Sequence, residues 1–153
     1  MSLPAPTLHT ARLRLRPFAD ADADALFDLH SSAHVLRYWD APPWSERTRA
    51  ERFIAACQRM ANEGTGARLA MDRLSDGAFI GWSSLTRWNP DYRSASLGYC
   101  LDDAAWGHGY ATETEYVRVY VRRLREKVEA DPQRPVYMKT IRGAGYLFET
   151  RAN

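Results

Sequence analysis

The apolar positions change period several times along the chain. Leu13 and Leu15 alternate with Arg12, Arg14 and Arg16, a period of two that predicts a half-buried strand ended by Pro17. Between Asp20 and Ser31, Ala21, Ala25, Leu26 and Leu29 recur at helical spacing, with acids near the start, where the helix dipole favours them. Residues 35–44 are rich in aromatics and proline and predict a loop or a short turn of helix. A second helix is expected over Ser45–Glu63, with Ser45 as N-cap and Ala50, Phe53, Ile54, Cys57 and Met60 on one apolar face. Three strand-like runs follow, Ala67–Asp72, Phe79–Thr86 and Ser94–Leu101, separated by the turns Ser75-Asp76-Gly77 and Asn89-Pro90-Asp91. Two helices followed by an antiparallel meander predict an α/β (α+β) fold.

Beyond the meander, the glycine-rich turn Trp106-Gly107-His108-Gly109-Tyr110-Ala111 leads into a long helix expected over about 111–129. Thr112 and Glu115 form a possible capping box, and Val117, Val121, Leu124 and Val128 make one apolar stripe. Asp131-Pro132-Gln133-Arg134-Pro135 stops that helix. Val136–Arg142 and Tyr146–Thr150 flank Gly143-Ala144-Gly145 and predict a C-terminal hairpin. A strand that turns through glycines into a helix points bare backbone N–H groups outward, with the helix dipole behind them. That is an anion site suited to a pyrophosphate, although the same pattern also serves as a plain strand-to-helix turn.

At 153 residues, 45% hydrophobic and 12% aromatic, the chain suits one domain and excludes wholesale disorder. No apolar run approaches the roughly 18 residues of a membrane helix. Cys57 and Cys100 make no disulfide framework, and no basic-then-apolar leader opens the chain, so a cytoplasmic protein is expected. The net charge of +2 hides an asymmetry: residues 1–113 sum to −2 and residues 114–153 to +4. A basic tail of this kind is a weak nucleic-acid signal. His30 and His34 have a metal-ligand spacing, but no third ligand accompanies them, and no metal is expected.

Three stretches resemble the GNAT acetyltransferases, in particular the RimJ/RimL-like branch that acetylates amines. They are Thr10–Phe18, Val35-Leu36-Arg37-Tyr38-Trp39, and Leu97–Asp102 followed by Trp106–Glu113. The resemblance implies a mainly antiparallel sheet flanked by helices, acetyl-CoA as cosubstrate and an amine as acceptor. It places the pyrophosphate on the turn of Trp106, Gly107, His108, Gly109, Tyr110, Ala111 and Thr112. It places the pantetheine arm along the fourth strand, at Leu97, Gly98 and Tyr99, and the acceptor near Tyr38 and Trp39. Ser96 stands where the family often carries a glutamate base, and Cys100 lies on the strand nearest the thioester; these two are the catalytic candidates. The family's later strands, which often carry its general acid, are not found.

From Trp106 to Glu149 the chain instead resembles the C-terminal DNA-binding domain of OmpR/PhoB-type response regulators, nearest the KdpE-like branch. Thr112–Glu129 matches the recognition helix, and Gly143-Ala144-Gly145-Tyr146 the wing. The resemblance implies DNA contacts by Arg118, Arg122, Arg123, Arg125, Lys139 and Arg142. The two resemblances overlap at Trp106–Tyr110, and the simplest reading is a chimera joined there. Residues 1–113 would form an acetyltransferase-like body and residues 114–153 a winged-helix-derived helix and hairpin completing one hybrid domain. The hairpin is expected to add strands beside the fourth strand, and an unfilled edge would favour a homodimer or domain swap. Three functions follow: an amine N-acetyltransferase impaired by the lost strands, a DNA-binding fragment, or a chimeric or designed protein without native function.

Overall fold

The computed structural model describes residues 7–37, 39–89, 94–110, 125–126, 129–131, 133–136, 138–141 and 145–148. Five strands form one antiparallel sheet in chain order: β1 (Leu8–His9), β2 (Leu13–Pro17), β3 (Ala67–Arg73), β4 (Phe79–Asn89) and β5 (Ser94–Leu101). Helices α1 (Ala23–Ser31) and α2 (Thr48–Glu63) lie between β2 and β3 in sequence, and single 3-10 turns sit at Asp20–Asp22 and Asp103–Ala105. β6 (Met138–Ile141) pairs with β7 (Gly145–Phe148). This is the α/β (α+β) fold predicted from the periodicity, with the antiparallel sheet and flanking helices that the family resemblance implies. The fourth strand expected there is β5 here, because the short β1 pairs ahead of β2 through Leu8 opposite Leu15.

Strand alternation sorts the sheet into two faces. Cross-strand register places Arg14, Arg16, Ala70, Asp72, Trp82 and Cys100 on one face, and Leu13, Leu15, Leu69, Met71 and Leu85 on the other. The helices bury Leu26, Leu29, Ala50, Ile54 and Cys57 against Ala70, Trp82 and Cys100. Each large apolar side chain removed from water contributes on the order of 1.5–3 kcal/mol. Arg14 and Arg16 are only partly exposed, Arg14 more than Arg16. Both donate to the Asp72 carboxylate across β2–β3, and Arg16 also forks onto Asp22 ahead of α1.

Three expectations change. First, α2 begins at Thr48 rather than Ser45. The residue before Ser45 is held by α1: the Trp44 N–H donates to the His30 carbonyl at 2.9 Å, the Ser31 hydroxyl donates to the Trp44 carbonyl, and the indole stacks on the His30 ring. Ser45 is therefore part of the connection and not a cap. Second, β6 and β7 make a sheet of their own. Among the described residues no strand pairs with the outer side of β5. Pairing across a short turn closes a much smaller loop than pairing with a strand some forty residues earlier. Third, the strand expected over Phe79–Thr86 runs on to Asn89 and holds one extra residue between Thr86 and Asn89, where the register with β5 shifts. Arg87 absorbs it with φ of 54°, a left-handed conformation rare outside glycine. The long helix expected over 111–129 lies outside the described residues except at 125, 126 and 129, where the Glu129 N–H donates to the Arg125 carbonyl. Among the described residues no helix is long and apolar enough to cross a membrane.

Candidate active site

A cleft of about 640 Å³ lies where β5 runs into the glycine turn. Tyr99, Cys100 and Leu101 form one wall; Ala105, Trp106, Gly107, Gly109 and Tyr110 form another; Val35, Arg37 and Trp39 of the α1–α2 connection close the third side.

The turn is built to hold its shape. Asp102 starts it: its N–H donates to the Ile80 carbonyl and its carboxylate accepts from the Ala104 N–H, each at 2.9 Å. The Trp106 indole donates back to the Leu101 carbonyl at 3.0 Å. Gly107 and Gly109 both take φ of 77°, which side chains with a Cβ rarely adopt. At Gly107 a Cβ would meet nothing within 4 Å, so the backbone angle, and not crowding, selects glycine there. The far end is pinned to the sheet. Arg12 donates to the His108 carbonyl at 2.9 Å and lies 4.6 Å from the centre of the buried Tyr110 ring, which also hydrogen-bonds Arg73. Sequence reading missed Arg12 and Arg73 in this role, since their partners stand far away in the chain. Behind β5, Gly81 approaches so closely that a Cβ would sit 2.1 Å from the Cys100 carbonyl.

The candidates read from the sequence fall as follows. Leu97 and Tyr99 are exposed on the sheet face that carries Leu85, and of the two Tyr99 lines the cleft. Ser96 is exposed and pairs with Thr86, at the start of the bulge. Cys100 is a buried free thiol opposite Trp82. Burial, with the Asp102 charge adding to it, pushes its pKa up to about 12, so at neutral pH it is a thiol and not a thiolate. Trp106, Gly107, His108, Gly109 and Tyr110 are brought together in the turn, with His108 exposed. Trp39 lines the cleft; Tyr38 lies outside the described residues. Ala111, Thr112, Arg118, Arg122, Arg123 and Arg142 also lie outside them. Arg125 is helical and half-buried, and the Lys139 backbone is in β6.

His30 and His34 do not act as a pair. His30 is buried, accepts from the Trp82 indole at 3.0 Å, and meets Trp39 edge to face at 5.9 Å. His34 is exposed, with Nδ1 2.9 Å from Asp103 and Nε2 3.1 Å from Arg37. Among the described residues no cluster of three or more His, Cys, Asp or Glu could hold a metal ion.

The acetyltransferase (GNAT) domain family model matches residues 12–130. The uncharacterized N-acetyltransferase p20 of Bacillus licheniformis is 26% identical over 132 residues, covering 82% of this chain and 74% of that protein. Two regulators match short segments. The sensory transduction protein RegX3 of Mycobacterium leprae is 48% identical over 50 residues, 33% of this chain and 25% of its own. The transcriptional regulatory protein KdpE of Mycobacterium tuberculosis is 54% identical over 44 residues, 29% of this chain and 20% of its own. The chain therefore spans a quarter or less of these regulators. Among solved structures, a candidate ribosomal-protein-serine acetyltransferase from Vibrio cholerae superposes with a TM-score of 0.68 at 22% identity, covering 83% of this chain and 71% of that one. The spermidine N-acetyltransferase of Vibrio cholerae, solved with CoA and spermine, gives 0.61 at 17% identity, covering 78% and 67%. At these identities the likeness is one of fold.

Proposed function

The chain belongs to the GNAT acetyltransferase domain family, and from that premise we propose that it is an acetyl-CoA-dependent N-acetyltransferase acting on an amine. The observation that carries this reading is the open cleft between β5 and the turn holding Gly107 and Gly109. The turn's amides, from Gly107 to Ala111, receive the pyrophosphate, and the side of β5 away from β4, at Leu97, Gly98 and Tyr99, receives the pantetheine arm. The β5 backbone polarises the thioester carbonyl as charge builds on its oxygen.

The acceptor enters past Tyr38 and Trp39. Its neutral nitrogen attacks the thioester carbon; the C–N bond forms and the C–S bond breaks. The amine proton leaves through water at Ser96, which supplies a hydroxyl where the family often has a carboxylate, and a proton returns to the thiolate. Cys100, a neutral thiol, takes no acetyl group and at most gives a weak hydrogen bond near the leaving sulfur. Transfer is therefore direct, and slow for want of a dedicated base and acid.

A second reading rests on the regulator matches, whose 44–50 residues are at about twice the identity of the p20 match. In it the chain is a hybrid, a body over 1–113 completed by a winged-helix-derived segment over 114–153, with Arg118, Arg122, Arg123, Arg125, Lys139 and Arg142 facing DNA.

The test incubates the protein with acetyl-CoA and a panel of polyamines and peptide N-terminal amines, following thiol release, with a thermal melt at millimolar acetyl-CoA alongside. Expected are a raised melting temperature and thiol release that depends on the amine. A folded protein with neither property sinks the reading.

A further inference from the structure

We infer that Arg37 is a phosphate-binding residue of this cleft, set in position by His34 and Asp103, and that it takes the pyrophosphate of the acyl donor from the α1–α2 connection. The inference rests on the acetyl-CoA reading and goes past it, since neither the glycine turn nor the family resemblance assigns Arg37 a part.

Three observations meet at this side chain. Arg37 is the single charged residue among the described residues lining the cleft; the others are apolar, aromatic or glycine. Among the described residues lining the cleft, Arg37 is thus the one cation that could face a dianionic group seated on the amides of Gly107 and Gly109. The guanidinium lies 5.1 Å from the centre of the Trp106 ring, and Trp106 immediately precedes Gly107. Contact with an indole that is itself tied to the Leu101 carbonyl holds the guanidinium on the side of the cleft where the glycine turn begins.

The third observation is a chain of hydrogen bonds. His34 Nδ1 donates to Asp103 Oδ2 at 2.9 Å, leaving the Nε2 lone pair to accept from Arg37 Nη1 at 3.1 Å. A carboxylate that fixes the imidazole tautomer, and an imidazole that then orients a third group, is a positioning arrangement. It crosses from the α1–α2 connection to the 3-10 turn after β5, so both sides of the cleft share in aiming one guanidinium. An arginine fork so held matches two phosphate oxygens at once, which a lysine cannot do.

The test is calorimetric titration of wild-type, R37A, H34A and H34Q proteins with coenzyme A, dephospho-coenzyme A and pantetheine, with a thermal melt of each variant. R37A is expected to weaken both nucleotide ligands about 10- to 100-fold, the size of one or two charge-assisted hydrogen bonds, and to leave pantetheine within about twofold. H34A is expected to weaken coenzyme A about 3- to 10-fold through loss of the oriented acceptor, and H34Q to restore it, because one glutamine amide can donate to Asp103 and accept from Arg37. An unchanged constant for R37A overturns the inference. Weakening of coenzyme A alone, with dephospho-coenzyme A unaffected, overturns the pyrophosphate assignment in favour of the 3′-phosphate. H34Q behaving like H34A overturns the positioning role. If R37A does not fold, R37Q carries the same readout. Wild-type protein that binds none of the three ligands defeats the acetyl-CoA reading itself, an outcome distinct from all of these.

Discussion

His30 stands among the rings of Trp39, Trp44, Phe53 and Trp82 and accepts the Trp82 indole N–H on Nε2, so its neutral form carries its proton on Nδ1. Burial first, and the Arg49 charge second, lower its pKa to about 4. In the unfolded chain the same ring titrates near 6.5. Between those values the unfolded state binds a proton that the folded state refuses. Stability is thus fully present above about pH 6.5 and falls as pH drops toward 4, by up to about 3 kcal/mol. Urea midpoints at pH 7, 5.5 and 4.5 should decline for the wild type, and a His30→Gln variant, lower at pH 7, should show a shallower decline. The sequence exposed His30 only by its spacing to His34. Its real partner, Trp82, lies 52 positions on, which no local pattern could show. Arg37 was legible only as part of a stretch that carries the family resemblance, and its link through His34 to Asp103 spans 69 positions and becomes visible only once the sheet closes.

At the level of elements, β2 was legible from its alternation, and Leu13 and Leu15 are fully buried as that pattern requires. The pattern misleads about Arg14 and Arg16, because period-two reasoning sends polar residues to solvent. Here a buried carboxylate, Asp72, gathers both, and Arg16 ties them on to Asp22. Burial alone would push the Asp22 carboxyl up, but the Arg16 fork and the Ala19 N–H outweigh it and hold it below the usual range. Removing Asp72 leaves two half-buried cations without their shared partner. Asp72→Ala should cost about 2–3 kcal/mol, the scale of lost hydrogen bonds to charged groups, since Arg14 is 43% exposed and Arg16 keeps its fork on Asp22, and Asp72→Asn less, since the amide oxygen still accepts. Chemical denaturation of both variants measures this; equal stability of Asp72→Ala and wild type would show the network to be idle. The start of α2 was misread for a related reason. Ser45 has the right chemistry for a cap, but stacking of Trp44 on His30 fixes where the chain leaves α1.

For the whole molecule, the meander from β3 to β5 was legible because each of these strands pairs with its sequence neighbour across a short connection, whereas β2 reaches β3 only past both helices. Where the terminal hairpin would pair was not legible, because docking against β5 and pairing within the hairpin both satisfy the same strand signal. The charge split bears on the second reading of function. A tail of +4 beside a body of −2 gives weak, unspecific attraction to a polyanion. With a handful of phosphate contacts, affinity falls steeply with salt. A gel shift on mixed-sequence duplex DNA should show retardation near 50 mM salt and none near 200 mM. A sequence-dependent shift that survives the higher salt would move the balance toward the regulator reading.

The extra residue at Arg87 also has a bearing on how this chain can change. Register between β4 and β5 is continuous from Gly81 opposite Leu101 to Thr86 opposite Ser96, and the offset is confined to the next step, Asn89 opposite Ser94. The bulge works as a mechanical fuse. Insertions or deletions on its far side, toward the β4–β5 turn, can be taken up there without sliding Leu97–Leu101 past β4. Lineages could therefore lengthen, shorten or recombine that end of the sheet while Leu97–Leu101 keep their alignment on β4, and a loop library in the laboratory would be best placed there for the same reason.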